Sequence, residues 1–255
     1  MLSVRIIPCL LLRGQSLVKT IKYKKFTYIG DPINTCRIFN ELEVDELCFL
    51  DITASKERHE PNYGLLKEIA NECFMPLSYG GGIKDIQMAE RIFALGFEKI
   101  VLNTFAHQNP DLISALSKRF GNQSIICAID VKKSFFGRYY CYACSGTTRY
   151  RLHPVEGAKL FENKGAGEIL LTSIDREGTW EGFDVDLVRQ VSDTVSIPVI
   201  ANGGAGDISD IKAVVKKGHA SAVGLGSMVV FQKKGMGVLI NFPEENELRR
   251  ELGKP

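Results

Sequence analysis

Glu46-Leu47-Cys48-Phe49-Leu50 returns 122 residues later (168 − 46) as Glu168-Ile169-Leu170-Leu171-Thr172. Tyr79-Gly80-Gly81-Gly82-Ile83 returns as Asn202-Gly203-Gly204-Ala205-Gly206, and Ile6-Ile7-Pro8-Cys9-Leu10-Leu11 returns as Ile125-Ile126-Cys127-Ala128-Ile129-Asp130. Three matches at nearly one offset mean that two copies of one half make up the chain. The last match carries a chemical difference. Where the second copy ends on the carboxylate of Asp130, the first ends on Leu11.

Around these repeats, short apolar runs alternate with helix-period segments. The runs Val4–Leu11, Glu46–Asp51, Leu77–Tyr79, Lys99–Asn103, Ile125–Asp130, Glu168–Ile174, Val199–Asn202 and Ala222–Leu225 predict eight strands. Several are Ile-, Val- and Leu-rich at every position, as strands buried on both faces must be. Leu65–Cys73, Gln87–Leu95 and Pro154–Asn163 read as amphipathic helices, and Asp31-Pro32 and Asn109-Pro110 place an N-cap before a first-turn proline. Alternating strand and helix implies parallel pairing. Eight units in a four-plus-four repeat imply an α/β fold, a closed (βα)8 barrel built from two half-barrels and spanning residues 1–255 as one domain. An open, doubly wound sheet is the alternative, but it gives no reason for the duplication.

The longest irregular stretches are Thr20–Gly30 and about Lys132–Leu152. The first carries Lys22, Lys24 and Lys25 among Tyr23, Phe26 and Tyr28 and follows the first strand, so it reads either as a mobile lid on the active face or as a solvated hairpin. A net charge of +2 argues against nucleic acid or an anionic membrane as partner. No apolar run approaches the roughly 20 residues of a membrane span. Ile6 to Leu12 is read as a barrel strand, not a signal-peptide core. Seven cysteines, with Cys9, Cys48 and Cys127 inside strand-like runs, suggest reduced thiols and a cytoplasmic protein. Cys141 and Cys144 form a CxxC with no second pair to complete a metal site, so no metal and no cofactor is assigned.

Barrel chemistry occurs at the C-terminal ends of the strands. Gly80-Gly81-Gly82 follows the third strand and Asn103-Thr104 ends the fourth; Gly203-Gly204 follows the seventh and Gly226-Ser227 ends the eighth. Such turns let backbone N–H groups approach an anion, although they also serve simply as tight turns. Two sets related by the repeat suggest an elongated phosphorylated small molecule with an anion at each end. Asp130 ends the fifth strand as a candidate general acid or base. Asp51 and Asp175 lie near strand ends too, within reach of catalysis or of capping the next helix, and Ser173–Thr179 reads as a substrate-facing loop. At the opposite face Arg5, Glu46, Lys99 and Glu168 begin the first, second, fourth and sixth strands. Their alternating charges would close a ring of salt bridges, which by itself is better explained as a polar plug satisfying the barrel floor.

The segments Arg5-Ile6-Ile7-Pro8-Cys9-Leu10, Phe49-Leu50-Asp51-Ile52-Thr53-Ala54-Ser55, Gly80-Gly81-Gly82-Ile83, Gly165–Arg176 and Gly203-Gly204-Ala205-Gly206 together resemble the HisF family, the cyclase subunit of imidazole glycerol phosphate synthase. The resemblance spans nearly the whole chain. It implies a barrel that partners a glutaminase (HisH-like) subunit, takes up ammonia at the floor and reacts it at the mouth with a bis-phosphorylated ribonucleotide, giving imidazole glycerol phosphate and an aminoimidazole carboxamide ribotide. It implies that Arg5, Glu46, Lys99 and Glu168 form the ammonia gate and that Asp130 is catalytic. Together with the glycine turns, it gives a substrate- and phosphate-binding set of Lys19, Gly82, Asn103, Thr104, Asp175, Gly178, Gly203, Gly204, Gly226 and Ser227.

Departures from the family pattern cluster at the mouth: Leu11 for a second catalytic aspartate, Thr20 after Lys19, Glu177 where a shorter acid is usual, and Asn202 before the second glycine pair. Cys9-Leu10-Leu11-Leu12 is more similar to a HisF-like branch found with surface-polysaccharide genes. That branch implies ammonia delivery to a further partner, an N-sugar amidotransferase that turns the N-acetyl group of a nucleotide-linked sugar into an acetamidino group for lipopolysaccharide O-antigen. Two other expectations stand beside it: a histidine-biosynthetic cyclase relying on Asp130, and a non-catalytic adaptor that channels ammonia.

Overall fold

The computed structural model describes residues 4–252. Its first half runs β1 (Arg5–Arg13), β2 (Ser16–Ile21), β3 (Lys24–Gly30), α1 (Pro32–Glu41), β4 (Leu47–Asp51), α2 (Ala54–Glu57), α3 (Tyr63–Glu72), β5 (Leu77–Gly80), α4 (Ile86–Ala94), β6 (Lys99–Leu102), α5 (Thr104–Gln108) and α6 (Asp111–Phe120). Its second half runs β7 (Ile125–Lys133), β8 (Tyr139–Ala143), β9 (Thr148–Arg149), α7 (Pro154–Asn163), β10 (Glu168–Ser173), α8 (Val185–Ser192), β11 (Val199–Asn202), α9 (Ile208–Gly218), β12 (Ala222–Leu225), α10 (Ser227–Val230) and α11 (Glu245–Leu252).

Strands β1, β4, β5, β6, β7, β10, β11 and β12 pair in that order, each parallel to the next, and β12 returns to β1. Within the second half β7 pairs with β10 unbroken from Ile126↔Glu168 to Val131↔Ser173, and the halves join at β6 on β7 and at β12 on β1. Every one of the eight strands therefore has two parallel neighbours, which closes the sheet into a (βα)8 barrel and excludes the open alternative. Side chains along β1 alternate in destination: Ile6, Leu10 and Leu12 face the helices, while Ile7 and Cys9 face the lumen. The lumen is a separate apolar column completed by Cys48, Val101, Ile126, Ala128, Leu170, Ile200 and Ala222. With one face against helices and the other against this column, the strand positions are buried except near the strand ends, which is why these runs are largely apolar.

The two stretches expected to be irregular are instead ordered hairpins. β1 continues past the rim to Arg13, turns at Gly14, and β2 returns antiparallel with Leu11↔Val18, followed by β3. β7 does the same at the equivalent place, with Asp130↔Tyr142 and β9 beyond. Each half-barrel thus raises its first strand into a hairpin above the mouth. β8 carries the signal in its sequence, since Tyr139–Ala143 alternates buried and half-exposed. In contrast, the charged and largely exposed Lys24–Tyr28 gives no apolar period.

Asp31 caps α1 as expected, its Oδ1 accepting from Asn34 N at 2.8 Å. The Asn109-Pro110 expectation shifts by one residue: Pro110 itself occupies the cap position, α6 starts at Asp111, and no Asn109 side chain caps it. The CxxC is divided, because Cys141 is packed in the outer core while Cys144 turns towards the Thr104 hydroxyl. No helix among the described residues is long and apolar enough to cross a membrane.

Candidate functional site

Register places the decisive residues side by side at the mouth. Asp130 of β7 is paired with Thr172 of β10; at the equivalent place in the first half, Leu11 of β1 is paired with Leu50 of β4. The first half therefore lacks both the acid and the hydroxyl beside it. That second exchange was already present in the repeat, as Leu50 against Thr172, but only the pairing gives it meaning.

Asp130 is buried. Burial pushes its carboxyl up to about 7, although hydrogen bonds from Tyr23 and Thr172 pull the other way. A carboxyl poised near neutrality can take or give a proton. Tyr23 Oη donates to Asp130 Oδ1 at 2.9 Å, and burial drives the phenol well above its usual range, so it stays a donor. Asn202 Nδ2 donates to Thr172 Oγ1 at 3.1 Å, fixing the threonine.

Two cavities open on the mouth. The larger, about 210 Å³, is lined by Gly80, Gly81, Gly82, Asn103, Thr104 and Asp130 among others. The smaller, about 40 Å³, is lined by Lys19, Glu177, Gly178, Gly203, Gly204, Gly226 and Ser227 among others. The two glycine sets expected from the repeat therefore each line a cavity. Leu11, Leu50 and Tyr23 line both and stand between them.

In the larger cavity Asn103 precedes α5 and its Nδ2 donates to the Ala128 carbonyl at 3.1 Å. The Thr104 hydroxyl accepts from Cys144 N at 3.2 Å, tying the second hairpin to this wall. Gly82 has φ +70°, and a Cβ there would press on the His59 carbonyl and Ala54. Asp51 lines this cavity while its Oδ1 accepts from Thr53 N, Thr53 Oγ1 and Ala54 N, which commits it to holding the turn into α2.

In the smaller cavity Lys19 is buried and ion-paired with Glu177. Glu177 Oε2 also accepts from Tyr23 N at 3.1 Å, and its carbonyl accepts from Lys22 N at 2.9 Å. Gly178 has φ +73°, and a Cβ there would collide with the Thr20 carbonyl. The Ser173–Thr179 loop thus meets the mouth through Glu177 and Gly178. Asp175 lines neither cavity; its Oδ2 accepts from Lys133 N at 2.8 Å and braces the end of β7. Tyr23, Thr172 and Leu50 were not singled out from the sequence as site residues, since Tyr23 lay in a segment without readable period.

At the floor the four charged residues meet in a ring. Arg5 reaches Glu46 at 2.8 Å and Glu168 at 2.6 Å; Lys99 reaches Glu46 at 3.1 Å and Glu168 at 2.8 Å. The glutamate side chains are only 4% and 10% exposed. Each bridges both cations, so deleting one leaves two charges half-partnered. Removing a partner from a buried pair costs roughly 3–5 kcal/mol. A glutamate-to-alanine change here would therefore disturb folding as well as any gate. Between ring and mouth runs the apolar lumen column. Among the described residues no three His, Cys, Asp or Glu side chains converge as a metal site.

Residues 5–234 match a family model described as "Histidine biosynthesis protein". Three relatives are each named "Putative imidazole glycerol phosphate synthase subunit". The chain is 49% identical to hisF2 of Pseudomonas aeruginosa, over 97% of this chain and 99% of that protein. It is 45% identical to hisF3 of Vibrio vulnificus, over 99% and 97%. It is 44% identical to HisF of Leptospira interrogans, over 97% and 98%.

Proposed function

Because this chain belongs to the histidine biosynthesis protein family, we propose that it is a HisF-type synthase subunit that receives ammonia at the floor and delivers it to an acceptor at the mouth. A glutaminase (HisH-like) subunit would dock under the ring of Arg5, Glu46, Lys99 and Glu168. The ring would admit neutral ammonia when its ion pairs part. The apolar column above it suits a neutral molecule and opposes ammonium, whose desolvation in such surroundings is prohibitive. Asp130, near neutral in its proton affinity, would accept or return a proton as ammonia adds to the acceptor.

The acceptor we favour is an N-acetylated, nucleotide-linked sugar, converted to its acetamidino form with the help of an N-sugar amidotransferase for lipopolysaccharide. The observation that carries this is the apolar pair Leu11–Leu50 standing where the other half has Asp130–Thr172. Cyclisation of a bis-phosphorylated ribonucleotide needs both an acid and a base, and leucine can be neither. The loss of one such group lowers a rate by roughly 10²–10⁴-fold. The second reading, an imidazole glycerol phosphate synthase cyclase in which Asp130 acts without a carboxylate partner, is compatible with the same names of the relatives. Turnover of the ribonucleotide by the purified barrel with ammonium salt separates the two. A rate within about tenfold of a two-aspartate barrel would overturn the sugar reading; a rate lower by 10²-fold or more supports it.

A further inference from the structure

We propose that this chain anchors a phosphorylated ligand at one end only, in the larger cavity, because its own Glu177 occupies the place of an anion at the other. The inference rests on reading the mouth as a phosphate-binding site. The cavity of the second half has about one-fifth the volume of the first, about 40 against 210 Å³. Among the described residues Lys19 is the only cation lining it, and that cation is already paired with Glu177. The carboxylate is fully engaged: one oxygen holds Lys19 and the other holds Tyr23 N. An incoming phosphate would have to displace a buried, tethered carboxylate from its only cation.

The same glutamate holds the partition between the cavities. Lys22 and Tyr23 form the two-residue turn between β2 and β3, both at positive φ, 54° and 59°. Asn-Gly is the usual occupant of such a turn, and bulky residues there are strained. The strain is held by three bonds onto the opposite half of the barrel: Lys22 N to the Glu177 carbonyl, Tyr23 N to Glu177 Oε2, and Tyr23 Oη to Asp130. Gly178 lets the hairpin settle directly on the loop. Tyr23, set between the cavities, blocks an extended ligand from reaching both. An elongated bis-phosphate is excluded by the ion pair at one end and the aromatic ring in the middle.

Backbone amide NMR of the full chain, titrated with inorganic phosphate, reads each pocket separately. In the wild type the amides of Gly82 and Thr104 should shift and saturate while those of Gly204 and Ser227 stay still. In Glu177→Gln, which removes the charge and keeps the shape, the second pair should respond too, with affinity for phosphate at least about tenfold above the wild type at that pocket. Glu177→Asp, one methylene shorter, should move the same way and serves if the glutamine variant does not fold. Saturation of both pockets at one phosphate concentration in the wild type would overturn the inference. A silent first pocket would sink the phosphate reading of the larger cavity. In that event a response at Gly204 in Glu177→Gln would still uphold the plug, and silence there would remove it.

Discussion

Restoring the acid at position 11 should fail unless its neighbour is restored with it. Leu11 is 8% exposed and is paired with Leu50, so Leu11→Asp buries a carboxylate against a leucine. Its counterpart Asp130 has Thr172 and Tyr23 beside it and is still pushed up to about 7. Without the threonine equivalent, a carboxyl at position 11 is expected to resist ionisation further. At pH 8 the single variant should lose roughly 3–5 kcal/mol, the cost of a buried charge without a partner. Leu50→Thr supplies one hydroxyl, and a hydrogen bond to a charged group contributes about 1.5–3 kcal/mol. The double variant should therefore be more stable than the two single losses predict by about that amount. Urea denaturation of the four chains of the cycle at pH 8 measures it. At pH 5, with the carboxyl protonated, the coupling should fall to the roughly 0.5–1.5 kcal/mol of a neutral bond. Additivity within about 0.5 kcal/mol at pH 8 would refute the pairing argument.

Two buried groups should tilt stability with pH in opposite directions. The folded-state pKa of Asp130 is raised from 3.8 to about 7, so its contribution is present below pH 4 and is lost as pH rises through 7, about 4 kcal/mol in all. Buried His107 is lowered from 6.5 to about 4, so its contribution is present above pH 6.5 and is lost as pH falls through 4, about 3 kcal/mol. Asp130→Asn should thus expose a steeper acid destabilisation between pH 6.5 and 4 than the wild type shows in denaturant titrations; an unchanged slope would contradict the burial argument. At the floor, Glu46→Gln should uncouple glutamine hydrolysis from amination at a stability cost below the roughly 3–5 kcal/mol of Glu46→Ala, since the amide still accepts a bond; intact coupling would return the ring to a purely structural role. Gly178→Ala should push the first hairpin off the mouth, seen as faster tryptic cleavage at Lys22, Lys24 or Lys25 with the barrel intact; equal cleavage would show that the hairpin does not depend on that close approach.

The sequence alone fixed what depends on chain-local periodicity and on repetition. Strands buried on both faces must be largely apolar, so the eight runs could be read to within three residues at their ends, the shortfall lying where β1 and β7 run on into hairpins above the rim, and duplication made closure the natural outcome. The ring charges were also visible, because strand starts in a barrel share one level. Only the tertiary structure decided which residues meet across the mouth. The partnership of Leu11 with Leu50, of Asp130 with Thr172, and of Lys19 with Glu177 depends on register between strands and loops far apart in sequence. Tyr23 is the sharpest case. Its segment has no apolar period, because a hairpin above a barrel rim packs by a few directed hydrogen bonds and one inserted ring, and such contacts leave no repeat in the chain.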